Sequence, residues 1–442
     1  MKTKYVLVFL LFLVLWQPVM YQLGYVAEPI NVSGTGSMYP TFPKGDGKDP
    51  KALSKQIVGT PGMFRYPNGI VLFGNRYFHH VLARGDIVVA ENDVIRDISK
   101  KLYDRSGGVV KRVIAIPGDT IQIRDGIVIL NGQPQKEPYI ARGRSTFGGT
   151  SLPDCLPLTI PPHKYFLMGD NRKGSGDSRQ DIGLVDEADI RWALPYKSQI
   201  GLLDKNWRDP SRDLDDTAKI SLDKEAFFTL LNQKRNELKS PELKFENKLS
   251  RSAQKRGEVI LKYNDFSFEA TRSGYKMTRA TADEKYYNIV YGEWPILGYY
   301  EADELIDNLF EFPKGKDFLT NKEYDDFGVS EVQGQLNGCP SHLVVLHFAG
   351  YVPPNYTKDV IDSWKNALTN LRDIQPGWSK LKQYSEFYEK HRDEVNRIND
   401  IIAQRIDNIS QIVAAMEKNQ LLSQTQRQYV SLDTSLQTQL DD

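Results

Sequence analysis

A serine and a lysine are the residue types in this chain that could supply a nucleophile and its base. Ser37 lies in the stretch GTGSMYPT, where small neighbours let other groups approach its hydroxyl. A serine hydroxyl is a poor nucleophile until a base accepts its proton. Lys111, in GGVVKRVIAIPGD, lies among valines and isoleucines that would desolvate its amine and lower its pKa toward neutrality. Arg112 would point to the opposite face of the same strand.

Each of these residues also has an ordinary interpretation. Most serines in glycine-rich loops only form the turn, and a lone lysine in a strand is usually a solvated edge residue. His79 and His80 are the histidines nearest to Ser37 in sequence, in NRYFHHVLARGD, where we expect no carboxylate to orient them. Among these groups, Lys111 is therefore the better candidate for the base.

The composition indicates a folded protein without a charge bias. The chain has 442 residues, enough for two or three domains, and hydrophobic residues make up 40%. Lys and Arg number 57, as do Asp and Glu, so nothing favours nucleic acid as a partner. Cys155 and Cys339 are too few for a disulfide framework or a zinc site, and whether they pair is left open.

The N-terminus carries a long apolar segment. Lys2 and Lys4 precede an unbroken apolar run, and the segment 5–27 could cross a hydrocarbon core of roughly 30 Å at about 1.5 Å per residue. A cleavable signal peptide is the alternative, because its apolar core is typically about 7–15 residues. The preceding lysines would keep the N-terminus inside and place the rest of the chain outside.

Changes in pattern along the chain divide it into five parts. Short β-branched runs separated by turn residues predict a mostly-β domain, followed by a charged linker, a mixed α/β domain and a helical segment that we expect to break at QPGW (375–378). The predicted parts are the N-terminal anchor 1–30, the β domain 31–197, the linker 198–220, the α/β domain 221–355 and the helical segment 356–442.

One helical stretch has the apolar period of a coiled coil. Its spacing averages 3.5 residues between Val395 and Met416, through Ile398, Ile402, Ile406, Ile409 and Val413. Two interpretations stay open: the seam binds a coiled-coil partner, or the helix packs on the protein's own surface.

Four stretches of the first half resemble the ordered boxes of bacterial type I signal peptidases, which are membrane-anchored Ser-Lys proteases. They are GTGSMYPT, RGDIVV, KRVIAIPGD and GDNRKGSGDSR, and the last matches G-D-N-R-x-x-S-x-D-S-R at every fixed position. The resemblance covers residues 33–195. It implies a retained N-terminal transmembrane helix, and a mostly-β catalytic domain outside the plasma membrane.

The resemblance also assigns roles to residues of this chain. Ser37 would be the nucleophile and Lys111 the general base, and Thr35 would form the oxyanion hole together with the Ser37 N–H. Ser175 would hydrogen-bond the lysine amine and hold it facing Ser37. The charged residues expected to brace this wall are Asp170, Asp177 and Arg179, and Met38 and Pro40 would shape the turn.

The implied substrates are exported precursors with small residues at positions −1 and −3, bound near the lipid bilayer as an added strand. No cofactor or metal is implied. The chain departs from the compact family pattern between Thr41 and Arg84, where an insertion (42–83) could form an extra flap beside the cleft.

The second half is similar to the SCP-like, or CAP superfamily, extracellular domains, which form an α-β-α sandwich. The similarity covers roughly 221–353 and begins with FFTLLNQKRNELKSPELKFENKLSRSAQKRG. The family's ligand positions hold Phe268, Tyr287 and Lys316 instead, so a metal site of this family is not expected. We expect a binding or spacer module.

The sequence therefore predicts a membrane-bound signal peptidase I, a serine endopeptidase of the EC 3.4.21.89 type. Two alternatives stay open: a specialised processing peptidase with few clients, and a relict protease that acts as a surface-anchored binding protein. The sequence leaves the client proteins, the ligand of the CAP-like domain and the oligomeric state open.

Overall fold

The computed structural model describes residues 16–46, 50–311 and 313–441. The chain forms two compact units, Met1–Gly350 and Tyr351–Asp442. Residues 5–15 of the predicted anchor lie outside the described residues, and residues 16–22 are helical. Within the described ranges, none of the helices has the length and apolar character needed to cross a membrane.

The first half of unit one is mostly β, as the sequence predicts. Its strands are β1 Glu28–Ser33, β2 Ile57–Arg65, β3 Ile70–Leu72, β4 Asn75–Tyr77, β5 Ile87–Ala90, β6 Val109–Ala115, β7 Thr120–Arg124, β8 Ile127–Leu130, β9 Gln133–Pro134, β10 Leu158–Thr159, β11 Lys164–Met168, β12 Val185–Asp186 and β13 Ile190–Leu194. Three helices accompany them: α1 Pro50–Lys55, α2 Asp93–Tyr103 and α3 Tyr196–Gln199.

Seven of these strands form one sheet in the order β1-β2-β13-β5-β6-β11-β12. Strand β6 is buried on both faces, because Val113 packs in one apolar cluster and Ile114 in another. A strand covered on both faces reads as a continuous apolar run, as VVKRVIA largely does. Its two charged residues, Lys111 and Arg112, must therefore find partners inside the protein.

The predicted insertion 42–83 is partly integrated into this sheet. Strand β2 lies between β1 and β13, so this part of the insertion is a sheet member and not only a flap. The remainder forms α1 and the separate two-stranded β3–β4 hairpin. Phe73 at the hairpin turn is fully exposed, and Phe78 just after β4 is 80% exposed.

The second half of unit one is a three-layer α-β-α sandwich. Its elements are α4 Lys224–Glu237, β14 Lys244–Phe245, α5 Asn247–Tyr263, α6 Met277–Asp283, β15 Val290–Leu297, α7 Ala302–Glu311, α8 Pro313–Leu319, β16 Asp326–Leu336 and β17 Cys339–Gly350. The sheet has the order β14-β16-β17-β15, and alternate residues of β17 point to opposite faces. Val344, Leu346 and Phe348 pack with α4 and α7, whereas Leu343 and Val345 pack with α5.

The sandwich holds a buried polar network. His347 Nδ1 lies 2.8 Å from Ser252 Oγ, and His347 Nε2 lies 3.1 Å from Glu293 Oε2. Arg256 donates through Nε to both carboxylate oxygens of Glu293. The His347 ring is fully buried, and burial lowers the pKa of its imidazole despite the neighbouring carboxylate. By contrast, Phe268 and Tyr287, which occupy expected ligand positions, are 58% and 75% exposed.

The two halves of unit one are joined by a disulfide. Cys155 and Cys339, which are 184 positions apart in sequence, pair with a Cα–Cα distance of 5.6 Å. This answers the question of pairing that the sequence leaves open. Such a bond restrains a long loop of the unfolded chain and stabilises a fold mainly through that restriction.

Unit two is helical, with α9 Lys358–Lys380, α10 Ser385–Lys390, α11 Arg392–Glu417 and α12 Gln424–Asp441. The expected break at QPGW is wrong, because α9 continues through Pro376. Trp378, just beyond the proline, packs in the apolar cluster of α9 and α11, and its carbonyl accepts a hydrogen bond from Asn399. These contacts stabilise the last helical turn despite the missing proline N–H.

The apolar seam of α11 packs within unit two. Ile398, Ile402, Ile409 and Val413 are buried against Leu368 and Leu371 of α9. The structure thus has the second of the two arrangements considered for this seam, in which the helix packs on the chain's own surface.

Candidate active site

Ser37 lies on a tight turn just after β1. The turn is closed by backbone hydrogen bonds from Tyr39 N to Gly36 O and from Phe42 N to Met38 O. Gly36 has a φ of +76°, and a Cβ there would lie 2.6 Å from Lys44 Cγ. The position therefore favours glycine on both conformational and steric grounds.

Lys111 projects from β6 toward this turn. Its Nζ lies 3.0 Å from Ser37 Oγ and 3.1 Å from the carbonyl oxygen of Val110. The residue is 4% exposed. Burial lowers the pKa of the Lys111 amine to about 8, although Asp177 and Asp170 act in the opposite direction. An amine with such a pKa is about half neutral at pH 8, and its neutral form can accept a proton.

Arg112 points to the other face of β6, as the strand alternation predicts. Its Nε and Nη2 donate to the two carboxylate oxygens of Asp170 at 2.8 and 2.7 Å, and both side chains are fully buried. Thr41 also donates to Asp170. The guanidinium lies 3.9 Å from the centre of the Tyr139 ring. This pair fixes the strand that carries Lys111 to the loop that begins at Gly169.

The segment 169–179, which we call the bracing loop, packs directly on the Ser37 turn. Asn171 donates from its backbone N to Ser37 O at 3.1 Å and from Nδ2 to Gly36 O at 3.2 Å. A Cβ on Gly169 would lie 2.3 Å from Ser175 Oγ and 2.4 Å from Ser37 O. The loop and the turn are thus in such close contact that residue 169 has no room for a side chain.

Asp177 and Arg179 form a buried ion pair within this loop. Arg179 donates to both oxygens of Asp177, each at 2.8 Å. Although burial alone would raise the pKa of Asp177, Arg179 and the Gly169 N–H lower it on balance. The carboxylate therefore stays ionised and holds the backbone of Gly169 at 3.1 Å.

Ser175 is buried in the same loop, but its expected hydrogen bond to Lys111 is not formed. Its Oγ has no hydrogen-bond partner in the part of the chain that the structure describes. The side chain is 7% exposed, and its hydroxyl packs against Gly169. A buried hydroxyl without a partner is unusual, and it leaves one donor available beside the Ser37 turn.

Thr35 and Ser37 line one cleft of about 360 Å³, together with Lys111. The Ser37 amide donates no hydrogen bond among the described residues. Apolar side chains form much of the cleft wall: Ile30, Val32, Met38, Val89, Val109, Leu102 and Ile182. The insertion contributes Ser54, Gln56 and Ile57 to the same wall.

The histidines near Ser37 in sequence do not line this cleft. The expectation that no carboxylate orients them is wrong for His80, because its Nε2 lies 2.7 Å from Asp86 Oδ2. Backbone hydrogen bonds from the N–H groups of Ala83 and Tyr196 hold the Asp86 carboxylate in position beside the His80 ring. The pair connects local elements away from Ser37.

Two arginines of this site have features in the sequence that indicate buried partners. Arg112 is a charged residue in a strand with two buried faces, which requires a buried partner. Arg172, a fixed position of GDNRKGSGDSR, donates to both oxygens of Glu137 at 2.9 and 2.7 Å. Thr41 ends the GTGSMYPT box, but nothing in the sequence indicates its bond to Asp170, and Glu137 lies outside all four boxes.

Comparisons with known proteins identify a family for the first half of the chain. The family described as signal peptidase, peptidase S26, matches residues 2–192. A signal peptidase I of Bacillus licheniformis is 38% identical over 167 residues, 37% of this chain and 72% of its own. The signal peptidase I T of Bacillus subtilis is 33% identical over 168 residues, 37% of this chain and 69% of its own.

A solved extracellular protein containing a SCP domain, from Bacillus anthracis, aligns with 63% of this chain and 90% of its own at 12% identity and a TM-score of 0.25. The identity and coverage of the Bacillus peptidases are sufficient to assign the family. The chain therefore belongs to the signal peptidase family, peptidase S26, and is a serine peptidase of the signal peptidase I type.

Proposed function

We propose that this peptidase removes signal peptides with Ser37 as nucleophile and Lys111 as general base. The observation that carries the proposal is the distance of 3.0 Å between Lys111 Nζ and Ser37 Oγ, with the amine buried. Burial lowers the pKa of the amine to about 8, so a far larger fraction of it is neutral near that pH than of a solvated lysine. His80, which is paired with Asp86, does not line the cleft, whereas Lys111 lies within reach of Ser37 Oγ.

The reaction follows from this geometry. Ser37 Oγ attacks the scissile carbonyl carbon while its proton passes to Lys111 Nζ. The tetrahedral intermediate collapses, the C–N bond breaks, and Lys111 gives the proton to the leaving amine. The signal peptide is then held as an ester on Ser37. Lys111 next takes a proton from water, whose oxygen attacks the ester, and Ser37 regains its proton when the second intermediate collapses.

Two donors are available for the oxyanion of each intermediate. The Ser37 N–H makes no hydrogen bond among the described residues, and the Thr35 side chain lines the same cleft. Both would donate to the oxygen on which negative charge develops. Thr35→Val should therefore lower kcat more than it raises KM.

We assign positioning roles to the bracing loop. Asp170 holds Arg112, the neighbour of Lys111, and the Asp177–Arg179 pair holds the backbone at Gly169. Ser175, with a buried and unpartnered hydroxyl, would hydrogen-bond the Lys111 amine after a small rotation of its side chain. Such support keeps a base within reach of its nucleophile.

The cleft suits an extended substrate with small side chains at −1 and −3. Strand β1 pairs with β2 on one side only and ends the seven-stranded sheet, so its other edge could take a peptide as an added strand. Alternate side chains of such a strand point the same way, so −1 and −3 would share the apolar wall that holds Ile30 and Val32.

We further propose that the catalytic half works on the outer surface of the plasma membrane. The β3–β4 hairpin exposes Phe73 fully and Val71 to 56%, and Phe78 is 80% exposed. The hairpin lies beside the described end of the N-terminal segment, because Tyr25 Oη donates to Phe78 O at 2.6 Å. Exposed aromatic side chains at that place would enter the lipid interface. The disulfide agrees with an oxidising compartment.

The second half, in our proposal, is a CAP-like domain fused to the peptidase. Its resemblance in sequence and its α-β-α layers support this assignment. We assign no metal chemistry to it, since Phe268 and Tyr287 are exposed aromatic residues where ligands would be expected.

The dyad is tested on the full chain with a precursor that carries an A-x-A site. Ser37→Ala and Lys111→Met should each abolish cleavage, and a precursor with a bulky residue at −1 should resist the wild type. His80→Ala is the matched control and should cleave normally. Cleavage by Ser37→Ala at the wild-type rate would disprove the proposal.

The membrane surface needs a separate test. Phe73→Ser combined with Phe78→Ser should slow cleavage of a precursor inserted in phosphatidylglycerol–phosphatidylethanolamine vesicles and leave cleavage of a soluble peptide unchanged. Tyr384→Ser, which alters an aromatic residue that is 64% exposed in unit two, serves as the control. Equal effects on both substrates would contradict a role in lipid binding.

A further inference from the structure

Lys173 connects the bracing loop to the second half of unit one. It occupies a variable position of the GDNRKGSGDSR box, between Arg172 and Gly174. Its Nζ donates to Glu304 Oε2 at 2.8 Å and to the backbone oxygen of Tyr299. The same ammonium lies 4.0 Å from the centre of the Tyr300 ring. All three partners belong to the sandwich half.

This contact is buried, unlike an ordinary surface ion pair. The side chains of Lys173 and Glu304 are 5% and 15% exposed. A buried ammonium must be compensated by fixed partners, and here an acidic group, a carbonyl and an aromatic face all converge on it. Without the sandwich half, Lys173 would have none of these partners.

A second connection runs from the same loop through Phe147. Arg179 donates from Nη1 to Phe147 O at 3.0 Å, and the Phe147 ring lies 6.3 Å from that of Tyr299. Tyr299 is itself held by a hydrogen bond from its Oη to Asp125 at 2.8 Å and by stacking on His342. The loop is therefore connected to the sandwich directly through Lys173 and indirectly through Arg179 and Phe147.

Lys173 lies two residues from each of two groups that support the dyad. Asn171, two positions before Lys173, donates to the backbone of Ser37 and of Gly36, and Ser175 follows two positions after. A shift of the loop would move these supports, and displacements of about 1 Å can lower rates by about a hundredfold.

We propose that the sandwich half is a structural part of the peptidase active site, and that Lys173 is a positioning residue through which Glu304 and Tyr299 hold the bracing loop against Ser37. The sandwich then contributes to the catalytic rate without touching the substrate. This inference depends on the proposed function for its kinetic readout, and it has a second readout that does not depend on it.

The kinetic test uses the full chain and a soluble peptide with an A-x-A site. Lys173→Met and Glu304→Gln should each lower kcat by about tenfold or more, with KM changed less than about twofold. The double variant should be no slower than the slower single variant, because the two residues act as a unit. Lys276→Met, which breaks the exposed Lys276–Glu269 pair of the same half, should keep the wild-type kcat.

The second readout is amide hydrogen exchange. Glu304→Gln should speed exchange in residues 169–179 and leave β16 and β17 protected, whether or not the protein cleaves the peptide. If Lys173→Met fails to fold, Tyr300→Leu serves in its place. The proposal would be overturned if the single variants kept the wild-type kcat and the wild-type exchange rates. It would also be overturned if the fold-decreases in kcat of Lys173→Met and Glu304→Gln multiplied in the double variant. If Ser37→Ala still cleaves the peptide while Glu304→Gln speeds exchange in the bracing loop, the proposed function is wrong but the coupling between the two halves stands.

Discussion

Lys111 Nζ lies 3.0 Å from Ser37 Oγ, although the two residues are 74 positions apart in sequence. The lysine lies on strand β6, which is buried on both faces, and the serine lies on a tight turn after β1. Burial both makes the amine a usable base and makes its charged form unfavourable. The predictions below follow from this arrangement and from the contacts around it.

The first prediction concerns the pH dependence of activity. Because burial lowers the pKa of Lys111 to about 8, the neutral base is formed as pH rises through that value. We expect kcat/KM to increase with pH, to reach half its maximum near pH 8, and to level off at higher pH. Initial rates at substrate concentrations well below KM measure this profile. A profile that is flat from about pH 6 to 10 would contradict a lysine base.

The second prediction is that buried Lys111 destabilises the fold near neutral pH. Its pKa is about 8 in the folded protein against 10.5 for an ordinary lysine, so between these values the unfolded chain binds more protons. The free energy of unfolding should therefore rise with pH across this window. Below pH 8 the lysine is charged in both states, and the destabilisation is present in full. Lys111→Met should raise the free energy of unfolding at pH 7 by about 1–3 kcal/mol, after allowing for lost hydrogen bonds.

Urea unfolding at pH 7 and at about pH 11 measures this effect. The gain should shrink at the higher pH, where the lysine is largely neutral in both states. A Lys111→Met variant that is less stable than the wild type at pH 7 would show that burial of this amine carries no penalty.

The third prediction concerns the buried pair of Arg112 and Asp170. Asp170→Asn leaves a fully buried guanidinium without its counter-ion, which should lower the free energy of unfolding by about 3–5 kcal/mol. Thermal unfolding of the variant measures the loss. Glu269→Gln, which breaks an exposed pair, is the control and should leave the melting temperature unchanged. Similar small shifts in both variants would contradict a structural role for the pair.

The fourth prediction concerns Gly169. Alanine there would place a Cβ 2.3 Å from Ser175 Oγ and 2.4 Å from Ser37 O, so the bracing loop must move away from the turn. We expect kcat to fall by at least about tenfold. Gly59→Ala is the matched control, because a Cβ at that position of β2 meets no atom within 4 Å. Equal activity of the two variants would show that the loop tolerates displacement.

The fifth prediction concerns the disulfide between the two halves. Replacing both Cys155 and Cys339 by serine should lower the free energy of unfolding by about 2–5 kcal/mol, since the bond closes a long loop. A reducing agent should shift the urea midpoint of the wild type toward that of the variant. The variant itself should not respond to the reductant. An unchanged midpoint in the double variant would contradict a stabilising role.

The sequence was most informative where local pattern and chemistry coincide. Ser37 among small residues and Lys111 in an apolar strand were both identifiable, and the strand alternation placed Arg112 on the other face. The mostly-β first half and the helical C-terminal segment follow from the spacing of apolar and turn residues along the chain.

What could not be predicted depends on contacts between distant parts of the chain. The partner of Arg112 is 58 positions away, and the disulfide spans 184. Lys173 occupies a variable position of its box, so no pattern indicated that the sandwich half would bind it. The helix continues through Pro376 because the packing of Trp378 outweighs the tendency of proline to end a helix.

The most direct test of the account is to locate the serine that forms the covalent intermediate. The full-length protein is treated with a β-lactam-type serine acylator above pH 8, digested and analysed by mass spectrometry. We predict a single adduct on Ser37 in the wild type, and none in Lys111→Met, whose serine lacks its base. An adduct on another serine, or undiminished acylation of Ser37 in Lys111→Met, would contradict the Ser37–Lys111 dyad.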